Sequence, residues 1–199
     1  MERIFVNLTN YALRFAGAAA AIWGIAYAIN GATQARGYIT IRVAPTTEVA
    51  DHLRVSGVKL PAGAVLGEGE LSLSMWDSTV TEQVLSRADV LLSGLCAGVA
   101  ALLVSGLLKT FMNQQPFTRG NAARIAWLAA LVLVSGLAGP MLSRLAAATV
   151  LDRAELAAIF IPSLSLSWVP VAGCVFLLAL ALAFRRGAQT SGAVLENAG

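Results

Sequence analysis

Four long apolar runs alternate with polar interruptions along this chain. The runs occupy about residues 12–30, 88–108, 125–145 and 166–184. Each approaches the roughly 20 apolar residues that a helix needs to cross a bilayer. The expected fold is therefore an integral membrane protein, mainly α, treated as one domain over residues 1–199. It has four transmembrane helices and a small β-rich extracytoplasmic module between helices one and two. That module is the insertion at 31–87, and a short hinge at 109–124 joins the second and third runs.

Inside the insertion the period changes. Residues 38–43 (YITIRV) alternate and are β-branched, which predicts a strand. Residues 70–76 (ELSLSMW) alternate strictly, with Leu71, Leu73 and Met75 on one face, and predict a second. Residues 58–64 form a turn-rich connection. Two or three strands are marginal alone, so the insertion is expected to lean on the other outer loop, after the third run, or on the membrane surface. There Arg144, Asp152, Arg153 and Glu155 mark a second outer loop. Residues 164–168 (LSLSW) repeat the alternation, either as an extended segment pairing with the insertion or as the first turn of the last helix.

Composition removes the soluble alternative. The chain is 57% hydrophobic and 13% charged, against about 25% charged in an ordinary soluble domain. The net charge of +3 is small and scattered, so no basic face for direct nucleic-acid binding is expected. Charge sets the orientation instead. Lys109, Arg119 and Arg124 stand in the hinge without an acid, Arg14 lies near the start of the first run and Arg185-Arg186 follows the last. Short cytoplasmic loops collect Lys and Arg, which places the hinge and both termini in the cytoplasm and the chain in the plasma membrane, with the bilayer as its first partner. The first run has a tolerable signal-peptide cleavage sequence at residues 33–35. Its length and the interfacial anchors Trp23 and Tyr27 favour an uncleaved span, with Arg14 snorkelling to the headgroups. Residues 1–11 read as a polar lead and residues 187–199 as a disordered tail.

Candidate chemistry is sparse. Cys96 and Cys174 sit inside apolar runs without a CxxC pair, and His52 is the single histidine, so no metal site, cofactor or catalytic constellation is expected. Acids such as Glu68 and Glu70 read as a solvated edge. Arg14, Asp89 and Arg144 lie near span ends, not mid-membrane, which argues against an ion pathway. Gly94 and Gly98 form a GxxxG spacing that serves either intramolecular packing or a homodimer seam. In the hinge, Pro116 stops the second helix and Thr118 is an N-cap with Asn121 at N3. Phe117, Arg119, Asn121 and Arg124 then form the candidate partner-binding set. A well-made helical turn and contact with lipid headgroups are the alternatives.

Residues 115–125, Gln115-Pro-Phe-Thr-Arg-Gly-Asn-Ala-Ala-Arg-Ile125, and the exit Phe184-Arg-Arg-Gly187 resemble a bacterial four-helix membrane family, domain of unknown function 2975. The resemblance covers the hinge, the helix count and the C-terminal exit. It implies a cytosolic protein partner, a small helix-turn-helix regulator, and no catalytic residues. The function classes left are a non-enzymatic membrane sensor or anchor docking that regulator through the hinge, an accessory or immunity-type subunit of a larger membrane complex, or a small transporter.

Overall fold

The computed structural model describes residues 2–46, 71–113 and 117–196. The elements run α1 (Glu2–Thr33), β1 (Ile39–Pro45), β2 (Leu71–Met75), α2 (Val80–Ser86), α3 (Ala88–Met112), α4 (Arg119–Arg153), β3 (Phe160–Pro162) and α5 (Val169–Glu196). Among the described residues, four helices are long and apolar enough to cross a membrane: Val6–Thr33, Ala88–Met112, Arg119–Arg153 and Val169–Gln189. Two strands lie between the first two long helices, as the alternation predicts. His52, the 58–64 turn, Glu68 and Glu70 lie outside the described residues.

The helices overrun the expected limits. α1 starts at Glu2, so the expected polar lead is helical; it contains neither Gly nor Pro to break the turn. α4 extends to Arg153, and Arg144 and Asp152 lie on it instead of in a loop. Pro140 sits inside this helix without ending it. α5 continues to Glu196 through most of the tail expected to be disordered. Residues 164–168 form neither strand nor helical turn; the third strand is Phe160–Pro162, just before them.

The chain divides into two compact units. The helical unit takes Met1–Ala26, Val90–Gly139 and Ser167–Gly199. Apart from Ile125, its buried positions are small or polar, among them Cys96, Ala101, Ser105, Asn121, Ala122 and Ala129. Its large apolar side chains, among them Phe15, Trp23, Leu102, Trp127 and Phe176, face outward. Water would expel such a surface, whereas lipid accepts it and leaves close approach of small residues to hold the helices together. This inside-out distribution and the four apolar helices make the chain a multi-pass membrane protein.

The second unit takes Tyr27–Asp89 and Pro140–Leu166. It is an antiparallel sheet in the order β2-β1-β3. β1 pairs with β2 from Ile39↔Met75 to Val43↔Leu71, and with β3 from Val43↔Pro162 to Pro45↔Phe160. The two interruptions of the apolar pattern thus share one sheet. Alternation along β1 sends Ile39, Ile41 and Val43 to one face. They pack on Ala147, Val150 and Leu151 from the last turns of α4, with Leu73, Met75, Leu156 and Phe160 around them. A sheet too small to bury its own face is completed by the end of a long helix.

Candidate functional site

The hinge is built by hydrogen bonds within the helical unit. Thr118 caps α4, its Oγ1 accepting from the Asn121 N–H at 3.2 Å, as the sequence indicates. The Asn121 side chain is 0% exposed. Its Nδ2 donates to Thr110 Oγ1 at 2.7 Å, and its Oδ1 accepts from Arg124 Nη1 at 2.9 Å. Arg124 Nη1 also donates to the Gly106 carbonyl at 3.0 Å. Asn121 and Arg124 therefore clamp α3 to α4 and turn inward, away from the docking surface expected of them. Buried Asn121 and the half-buried Thr110, Arg124 and Gly106 carbonyl satisfy one another here, and removing Asn121 strands its partners. Asn121→Ala is expected to cost about 2 kcal/mol, read as a lower melting temperature of the detergent-solubilised chain.

Phe117 and Arg119 do reach the surface. The Phe117 ring is 51% exposed, and its other side lies against Phe184 with ring centroids 5.3 Å apart. Phe111 meets Phe184 from the other direction at 6.2 Å. A Cβ at position 187 would stand 2.8 Å from Phe117 Cδ1, so Gly187 leaves room for the ring to lie on α5. The aromatic trio ties the hinge to the C-terminal exit. The similar pattern in the sequence, with Phe117 and Phe184-Arg-Arg-Gly187 far apart, thus corresponds to one contact.

Arg119 is exposed and lines a cavity of about 560 Å³ between α4 and α5. Ala122, Ala126 and Ala181 line its apolar part; Arg119, Arg185 and Gln189 line its polar end. Comparison with family models, curated proteins and solved structures returns no significant match. The hinge, its aromatic trio and this cavity therefore stand on their own geometry.

The glycine pair is used within the chain. A Cβ at Gly94 would lie 2.5 Å from the Ala20 carbonyl oxygen, and one at Gly98 3.2 Å from that of Gly17. α1 answers with its own Gly17 and Gly24, the latter 3.0 Å from the Val90 carbonyl by the same measure. Within one chain, the seam at Gly94 and Gly98 is occupied by α1, the intramolecular one of the two expected uses. Nearby, Arg14 Nε donates to Ser105 Oγ at 2.7 Å, and Ser105 donates to Asn10 Oδ1. Arg14 is thereby tied to α3 through its Nε, while its side chain remains exposed. Among the described residues no group of His, Cys, Asp and Glu has the arrangement of a metal site.

Sequence reading passed over Glu82, the hub of the second unit. It is 3% exposed and closes a capping box on α2: its Oε2 accepts from the Thr79 N–H at 2.8 Å, and Thr79 Oγ1 accepts from the Glu82 N–H at 3.2 Å. Its Oε1 pairs with Arg153 Nε at 2.8 Å. The signal was present, because Thr79-Val-Thr-Glu82 is the S/T-x-x-E spacing of such a box. Beside it, buried Gln83 Nε2 donates to Ser78 Oγ at 2.8 Å and the Tyr38 carbonyl at 3.1 Å, anchoring the chain that leads into β1. Arg87 reaches Gln34 Oε1 at 2.5 Å and lies 5.2 Å from the Tyr27 ring centre.

Proposed function

We propose that this chain is a non-enzymatic bacterial plasma-membrane sensor or anchor that docks a small cytosolic regulator through its hinge, with the sheet module outside and both termini inside. The observation that carries the reading is the hinge surface. Phe117 and Arg119 stand exposed side by side on a turn fixed from beneath by the Thr118 cap, the Asn121 clamp and the Phe184 ring. A rigid aromatic beside a cation is the kind of anchor a protein partner uses, and preorganisation lowers the entropy cost of docking. The resemblance to the family with a helix-turn-helix neighbour supports the same partner class. Base at Arg14, Lys109, Arg119, Arg124, Arg185 and Arg186 supports the orientation.

α4 gives the two ends a common element. Arg119 opens it at the hinge, and Val150, Leu151 and Arg153 close it against the sheet and Glu82. One unbroken helix thus carries both the docking cation and part of the module's core, which suits a protein that links an outer event to an inner contact.

The test is recovery of a small helix-turn-helix regulator co-expressed with this chain and purified through the membrane protein. Phe117→Ala and Arg119→Gln are each expected to lower recovery per folded molecule about tenfold, whereas Arg144→Gln leaves it unchanged. Unchanged recovery with Phe117→Ala, together with less folded protein in the membrane, reduces Phe117 to a structural staple and removes the docking reading.

A further inference from the structure

We propose that the cavity between the start of α4 and the end of α5 is a seat for one anionic phospholipid, its phosphate held by Arg119 and Arg185 and an acyl chain laid along the alanine floor. The two helices order their lining residues in opposite senses, as antiparallel neighbours must if like residues are to meet at one end. Along α4, Arg119 precedes Ala122 and Ala126; along α5, Ala181 precedes Arg185 and Gln189. The two cations therefore share the polar end of a cavity whose remaining wall is apolar.

Charge defines the occupant. The residues lining the cavity include two guanidinium groups and no carboxylate, and neither Arg119 nor Arg185 makes an ion pair among the described residues. Two like charges around one cavity, without a counter-ion among the described residues, favour an anion between them, and guanidinium groups match phosphate oxygens with paired N–H donors. Gln189 adds a neutral donor at the same end. Arg124 shows the contrast: its guanidinium is consumed by Gly106 and Asn121 and does not line the cavity. The apolar part selects among anions. Ala122, Ala126 and Ala181 lie on helices of spanning length, where a free phosphate has nothing to contact and an acyl chain does. Alanines at these positions keep the floor low enough for a chain to lie in it.

The seat rests on the reading that the hinge faces the leaflet rich in anionic lipid. It deepens that reading by assigning Arg119 a second role, shared with Arg185 and not with Phe117. A lipid there fills the side of the hinge next to the docking surface and fixes Arg119 at its edge.

The experiment is native mass spectrometry of the full chain in detergent, with phosphatidylglycerol or phosphatidylcholine added at equal concentration. One phosphatidylglycerol per chain is expected to be retained at least tenfold better than phosphatidylcholine. Arg119→Gln with Arg185→Gln is expected to abolish that preference, and Ala126→Phe to lower retention by filling the floor. Arg144→Gln, loss of one positive charge at an exposed helical site away from the cavity, is expected to retain lipid as the unmodified chain does. The melting temperature of each variant separates loss of the lipid from loss of the fold, and an Arg119→Lys, Arg185→Lys chain is expected to restore part of the preference. Equal retention of the two lipids, or full retention after both arginines are removed, overturns the seat. So does displacement of phosphatidylglycerol by millimolar inorganic phosphate, which would make this a plain anion site, or a dimer or peptide mass lost with the same variants. Leaflet identity plays no part in detergent. A wrong orientation therefore appears only in side-specific labelling, and a wrong docking surface only in the response to Phe117→Ala.

Discussion

Gly94→Leu is expected to prevent α1 from packing on α3 and to remove most of the folded protein recoverable from the membrane. The Cβ alone would stand 2.5 Å from the Ala20 carbonyl oxygen and 3.2 Å from the Gly24 Cα. These are backbone atoms, so no side-chain rotation relieves the overlap and the helices must separate. Even Gly94→Ala is expected to cost about 2 kcal/mol, the scale of overpacking a filled interface. Separation would also open the Arg14–Ser105–Asn10 network, leaving the buried Ser105 hydroxyl without its partners. The readout is the monodisperse fraction and melting temperature of the chain in detergent, with Leu102→Ala on the outward face of α3 as the unaffected control. Normal folding of Gly94→Leu, accompanied by loss of a dimer, would move the seam from within one chain to between two.

The second large effect falls on Glu82. Glu82→Ala is expected to destabilise the sheet module by about 2 kcal/mol: roughly 1 from the lost capping box and roughly 1 from the pair with Arg153, whose side chain is one-third exposed and therefore screened. Glu82→Gln keeps part of the cap and is expected to cost about half as much. Hydrogen exchange of the β1 amides, in detergent, reads both. The pH dependence has a definite sign. Burial opposes ionisation of Glu82, but the hydrogen bonds from Arg153 and from the Thr79 backbone outweigh it and hold the carboxyl below its ordinary value of 4.5. Folding thus favours the charged form. Its contribution is complete above about pH 4.5 and is lost as pH falls through the lower folded value. Protection of β1 should decline in acid for the unmodified chain and decline less for Glu82→Gln.

How far the sequence disclosed this structure depends on whether a contact was local. β1 and β2 were legible because alternation of β-branched and apolar residues is a local pattern. β3 was not: Phe160–Pro162 is three residues long and ends in proline, too short to show a period. The helical share of the module core was hidden for another reason. Ala147, Val150 and Leu151 continue the apolar composition of the third run, so nothing marks where α4 exchanges its surroundings for the sheet. Thr118 and Asn121 were read correctly as cap and N3, yet the burial of Asn121 depends on Thr110 across the hairpin, which spacing along one helix does not reveal. Arg124 went the same way, since its partner is the Gly106 carbonyl. The hydrogen bond of Arg14 to Ser105, and through it to Asn10, was not legible because these residues meet only when α1 and α3 pack. Of the proposed docking set, the two members whose exposure needed no long-range contact, Phe117 and Arg119, are the two that reach the surface.

Side-specific labelling of single cysteines tests the central claim, that module and hinge lie on opposite sides of one membrane. Cys96 and Cys174 are buried and unpaired, so Cys96→Ala and Cys174→Ala provide the background. Ser74, exposed on β2, and Gly120, exposed in the first turn of α4, then carry the probes as Ser74→Cys and Gly120→Cys. A membrane-impermeant maleimide added to intact cells is expected to label position 74 at once and position 120 only after permeabilisation. Labelling of both positions from the same side, or of 120 alone in intact cells, would contradict the arrangement.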